Sequence, residues 1–239
     1  MKIYENIQWI TIILLSFLTY KIDIKFSVVL LFWAINIVAC CNIKEININS
    51  NSSLSLVIRR VLYLSSNMLC LLFLYKDIYI NVGNVRIQSI LLSIIIGVIF
   101  VSLNLTTWRI ILSTDFIKEL KKDLKVDYIT NITSLILSPI IEEVIFRLVI
   151  FKYFLDTIGL GLTITLSCYM FLISHIGTKW GCEYSLRDIV IQIVFSASQC
   201  LLFYITGSII PCIIVHLIYN LPNVLLSLRS YNIFYKNNN

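Results

Sequence analysis

Two adjacent glutamates, two histidines and an asparagine, all set in apolar sequence, are the residues of this chain best suited to chemistry. In SPIIEEVIFRLVIF, Glu142 and Glu143 follow Pro139, which can occupy the first turn of a helix, and precede Arg147. Glu143 and Arg147 stand at i and i+4, so on a helix they share a face and can pair, with the carboxylate on the favourable N-terminal side. That pairing leaves Glu142 on a neighbouring face without a local cation, where it must meet water, a histidine or a metal. A carboxylate so placed can have a raised pKa and act as a base. The same three residues would equally serve as a buried ion network holding helices together.

His175 lies in FLISHIG, four residues after Phe171, while His216 and Asn220 stand four apart in IIVHLIYNLPN, on one face of a helix. Histidine beside asparagine offers two N–H donors for a developing oxyanion, although a single interhelical hydrogen bond would also account for the pair. A lone buried histidine is more often a satisfied core residue than a catalyst. Joint placement carries the argument further. The chain has only 2 histidines, and both fall in apolar runs within the same third of the sequence as the Glu-Glu pair. The first two-thirds put almost no ionisable group inside such runs, and these groups are costly in hydrocarbon unless paired or functional.

The elements that must position these residues are membrane spans. Of 239 residues, 59% are apolar and 13% charged, against about 25% charged in soluble domains; the mean hydropathy is +0.89. This excludes a water-soluble fold. Apolar runs near 7–20, 26–43, 61–75, 87–108, 129–151, 158–176, 189–205 and 209–228 approach the roughly 17–25 residues that cross a bilayer. The expected fold is therefore all-α, a polytopic membrane helix bundle of about eight transmembrane helices. Runs 7–20 and 61–75 are short enough to be interfacial or re-entrant instead.

The formal charge is +6, but lysine and arginine sit singly at the ends of apolar runs, which speaks for membrane flanks and against nucleic acid. Their excess in alternate connecting segments places both termini in the cytoplasm. The 7 cysteines form no C-x-x-C pair and read as small core residues. The N-terminal run has an early lysine but no small-residue cleavage site, so it reads as the first span and not as a signal peptide. Sequons at Asn51, Asn104 and Asn131 read as chance matches. Segment 110–127 alternates apolar and charged residues and reads either as an amphipathic helix on the inner surface or as a solvated connector. With these spans His175 lies near the inner end of its helix and His216 near the outer side. Thr206, Gly207, Ser208 and Pro211 offer a break that would let the last helix begin deep in the membrane, where irregular backbone is tolerated if it lines a cavity.

At these residues the chain resembles the CPBP family of intramembrane proteases, which includes type II CAAX prenyl proteases and bacterial proteins linked to bacteriocin processing and immunity. The family motifs E-E-x-x-x-R, F-x-x-x-H and H-x-x-x-N/D read here as Glu142-Glu143 to Arg147, Phe171 to His175 and His216 to Asn220, in the family's order. The resemblance covers about residues 125–228. One departure is Leu148, where family members usually carry glycine after the arginine.

The resemblance implies three segments: N-terminal membrane spans and amphipathic connector at 1–124, a protease core at 125–228 and a polar tail at 229–239. It implies a CAAX-protease-like intramembrane endopeptidase acting on a membrane-associated peptide or protein. Glu142 would activate water, His175 would help hold that water, His216 and Asn220 would stabilise the oxyanion, and Arg147 would hold Glu143. The family is commonly labelled metalloprotease, and Glu142, His175 and His216 would make a zinc site, but the H-E-x-x-H signature is missing and a metal-free route fits equally. The alternative is a non-proteolytic binding, immunity or regulatory protein on the same fold. A proton- or ion-coupled transporter is disfavoured because the two halves show no paired repeats. The expected location is a bacterial cell membrane, crossed several times.

Overall fold

The computed structural model describes residues 24–43, 52–74, 85–178 and 185–236, with single positions between 10 and 20. Half of the positions in the expected span at 7–20 therefore lie outside the described residues. Among those described, the chain is helical without strands: α1 (Ile24–Ile43), α2 (Ser52–Leu74), α3 (Ile87–Ser102), α4 (Leu105–Ile111), α5 (Thr114–Glu119) and α6 (Lys125–Glu143). A π-helical stretch, Val144–Phe151, follows α6, and then come α7 (Lys152–Ile158), α8 (Leu160–Thr178), α9 (Leu186–Thr206) and α10 (Ile210–Tyr235).

Among the described residues, α9 and α10 are each long and apolar enough to cross a membrane, and α3 with α4 qualifies as a pair bent by 72°. Two or three candidate spans thus stand where about eight were expected. The run expected at 129–151 is divided between α6, which carries Asp127, Glu142 and Glu143, and the π-helical stretch Val144–Phe151.

The chain divides into two compact units: unit one takes Met1–Ile46, Val61–Ile80 and Val144–Leu201, and unit two takes Asn47–Arg60, Asn81–Glu143 and Leu202–Asn239. In unit one, Gly159 adopts φ 77°, a left-handed conformation that ends α7 and turns the chain into α8. Helices α1 and α8 meet where Trp33 lies edge-on to Tyr169, ring centroids 6.1 Å apart. Phe171 of α8 is the aromatic centre of this unit, 5.3 Å from Phe146 of the π-helical stretch and 5.9 Å from Phe195 of α9.

In unit two, α10 packs against both α3 and α6. The expected break before it is present: α9 ends at Thr206, Gly207 takes φ 62°, and Pro211 falls in the first turn of α10. Segment 110–127 is not one amphipathic helix. Ser113 accepts a hydrogen bond from Phe116 N (3.3 Å) and starts a separate α5, while Asp127 accepts from Leu124 N (3.1 Å) and starts α6. Each of these short polar side chains offers the backbone a local alternative to continuing the helix. The other Asp127 contact, from Ser53 Oγ at 2.8 Å, ties α2 to the same point.

Helices α3 and α10 approach so closely that a Cβ on Gly97 would lie 2.8 Å from Ile218 Cβ and Cγ2. Gly97→Ala is therefore expected to destabilise the protein by about 1–3 kcal/mol, because backbone-anchored atoms must separate. Thermal unfolding in detergent followed by circular dichroism measures it. An unchanged midpoint would mean that the helices part without cost.

Candidate functional site

In unit two, Glu142 and Glu143 are the last two residues of α6, and His216 sits in the second turn of α10. All three are buried; Glu143 is 0% exposed. His216 Nδ1 is 2.7 Å from Glu143 Oε1. An ionised carboxylate only accepts hydrogen bonds, so Nδ1 carries the proton and donates. In the neutral tautomer this leaves the lone pair on Nε2, and Nε2 faces Glu142 Oε2 at 3.9 Å. That distance is too long for a direct hydrogen bond. Glu143 thus orients the imidazole, and Glu142 is the carboxylate presented to its far nitrogen.

Asn220 lies one turn beyond His216 on α10, and its Nδ2 donates to the Leu135 carbonyl at 3.3 Å. The reason lies in α6. Pro139 does not open that helix, as the sequence suggested, but sits inside it. Proline lacks the N–H that would bond to the carbonyl four residues earlier, and that carbonyl belongs to Leu135. Asn220 supplies the missing donor, which makes an interior proline tolerable and ties α6 to α10 about two turns before the glutamates.

Unit one holds Arg147 and His175. Arg147 is 0% exposed, in the π-helical stretch; its Nη1 donates to Ser167 Oγ at 2.9 Å and reaches Cys200 Sγ at 3.6 Å. Its guanidinium carbon lies 5.3 Å from the centroid of the Phe171 ring, a cation–π contact. The His175 ring lies 4.2 Å from the same Phe171 ring, and its Nδ1 is 2.9 Å from the Phe171 carbonyl. A carbonyl only accepts, so His175 also carries its proton on Nδ1 and presents a lone pair on Nε2. Leu148 is buried in the π-helical stretch and packs as a core residue.

Of the residues singled out from sequence, unit two brings together Glu142, Glu143 and His216, with Asn220 beside them. Unit one gathers Arg147 and His175 around Phe171. Sequence reasoning missed Ser167 and Cys200 as partners of Arg147, since neither carries a signal at that separation. It also missed Leu135, although an interior Pro139 marks the carbonyl four residues before it.

The family model of type II CAAX prenyl endopeptidase, Rce1-like, matches residues 126–222, a stretch that includes all six of these site residues. No curated protein and no solved structure matches the chain.

Proposed function

We propose that this chain, which belongs to the CPBP family of intramembrane proteases by its Rce1-like segment at residues 126–222, hydrolyses a peptide bond of a membrane-associated peptide or protein with a water activated by Glu142. Protease activity in general follows from the family. The particular roles rest on one observation above all: a buried Glu142 faces the far nitrogen of a His216 whose near nitrogen is held by Glu143 at 2.7 Å.

In this reading Glu142 takes a proton from water as the water oxygen bonds to the carbonyl carbon. His175 is assigned the role of helping to hold that water. For His216 to meet the oxyanion, its Nε2 takes up one further proton from the medium before the cycle begins and keeps it throughout, and Glu143 stabilises the resulting positive charge across the short hydrogen bond. Asn220 Nδ2 adds a second donor when it leaves the Leu135 carbonyl; otherwise it serves as the tie between α6 and α10. The C–N bond then breaks, and the proton held by Glu142 passes to the departing amine.

Glu142, His175 and His216 are also the residues that would hold a zinc ion, which when bound would polarise the scissile carbonyl and its water. The donors suit it: both histidines present Nε2 lone pairs with Nδ1 donating to an oxygen, the usual outer arrangement of metal-ligating histidines. One atom decides between the two routes, because His216 Nε2 cannot be a ligand and an oxyanion donor at once. Cleavage is expected to survive exhaustive chelation, since the side chains named above suffice for the reaction. Loss of activity restored by zinc would instead place Glu142, His175 and His216 on a metal.

The alternative, a binding or immunity role on the same fold, draws on Leu148, which stands where family members usually carry glycine. The test is cleavage of a panel of membrane-associated peptides by the purified protein in lipid. Products favour the protease. A folded protein that binds a peptide tightly and never cuts one favours the alternative.

A further inference from the structure

Helix α9 is one of the described helices apolar enough to cross a membrane, yet one of its faces is polar from its start to its middle. Ser185, which precedes the helix, and Asp188, Gln192, Ser196 and Gln199 recur at spacings of three and four, so they stack along one side. Exposure falls steadily along this line. Ser185 is exposed, Asp188 and Gln192 are half-buried, and Ser196 and Gln199 are both 0% exposed.

At the exposed end Ser185 and Asp188 bind one another: Ser185 N and Oγ reach Asp188 Oδ2 at 3.1 and 2.9 Å, and Asp188 N donates to Ser185 Oγ at 3.1 Å. At the buried end the residue after Gln199 is Cys200, which receives Nη1 of Arg147 at 3.6 Å. Between the ends, Gln192 Oε1 is buried without a hydrogen-bond partner among the described residues, and the buried Ser196 hydroxyl stands beside the Cys168 thiol, a weak partner that leaves it able to bond water. A buried oxygen left without a partner costs about 1–3 kcal/mol, and internal water is the usual remedy where the surroundings are polar.

We propose that this face of α9 carries a file of water molecules running from the Ser185–Asp188 end to the Arg147 guanidinium. Each position supplies a group that a water can bond: carboxylate, amide, hydroxyl, amide, then the five N–H donors of the arginine. An apolar helix needs none of these for packing. The file lies within unit one and stands whether or not the chain cleaves peptides. On the hydrolytic reading it also brings in the water that each turnover consumes.

The test exploits the scarcity of glutamine, present only at Gln8, Gln88, Gln192 and Gln199. The full chain, labelled with nitrogen-15 in glutamine side chains and reconstituted in lipid, is examined by water-edited solid-state NMR, with Gln192→Met and Gln199→Met assigning the signals. Transfer from water to the Gln199 amide is expected within about twofold of that to exposed Gln88, as for a group bonded to internal water that exchanges with bulk. In Ser196→Val the transfer at Gln199 drops severalfold while that at Gln192, nearer the exposed end, persists. A Gln199 amide that receives no water magnetisation in the wild type overturns the proposal, as does a Ser196→Val protein in which Gln199 is unaffected. Should that variant fail to fold, the wild-type signal alone decides. None of these readouts depends on cleavage, so failure here and failure of the protease reading are separate results.

Discussion

Glu142→Gln is expected to lower turnover by about 10²–10⁴-fold, the usual contribution of a positioned general base. The amide keeps the shape of the carboxylate and its place at the end of α6, but it cannot accept a proton from water. Because Glu142 is buried and faces His216 Nε2 at 3.9 Å, the neutral substitution removes a desolvated charge and should leave the fold intact. The loss is expected in kcat, with KM little changed, since substrate binding does not call on the proton acceptor. Steady-state cleavage in lipid, with the thermal midpoint measured alongside, separates the two. A variant that retained wild-type turnover would place the base elsewhere.

His216→Ala is expected to affect both stability and activity. It removes the 2.7 Å hydrogen bond from a carboxylate that is 0% exposed, and breaking a buried pair from one side costs about 3–5 kcal/mol. The companion variant His216→Ala with Glu143→Leu removes both partners, so no charge is stranded. It is expected to regain most of the lost stability and still fail to cleave. Unfolding midpoints in detergent, set against cleavage rates, check both statements. A single variant as stable as the wild type would show that Glu143 does not depend on the histidine.

Much of the candidate site was legible because ionisable groups inside apolar sequence are rare enough to point to one another. Glu142, Glu143 and His216 were selected on that ground, and α6 and α10 bring them within contact. The break at Gly207 was legible too, since glycine, serine and proline between two apolar runs leave few other conformations. The reading of cysteines as core residues holds for Cys168, Cys200 and Cys212, which are buried thiols outside any disulfide.

What was not legible depends on packing between elements distant in sequence. The i and i+4 rule offered Glu143 a local partner in Arg147, and could not reveal the bond from His216, 73 residues away. Pro139 was read by its commonest helical position. Its true place inside α6 is made tolerable by Asn220, 85 residues from the Leu135 carbonyl it serves. The π-helical stretch Val144–Phe151 has the composition of any apolar helix, so nothing in its residues announces the extra residue per turn. Segment 110–127, read either as one amphipathic helix or as a solvated connector, is divided by two capping residues, Ser113 and Asp127, whose local hydrogen bonds its charge alternation did not reveal.

The most direct test of the central claim is to incubate the purified protein in lipid with membrane-associated peptides in oxygen-18 water and examine the products by mass spectrometry. Hydrolysis with a water activated by Glu142 predicts a new carboxyl terminus carrying oxygen-18 from the wild type and none above background from Glu142→Gln. Equal labelled product from both proteins, or no product from a wild type shown to be folded, would contradict it.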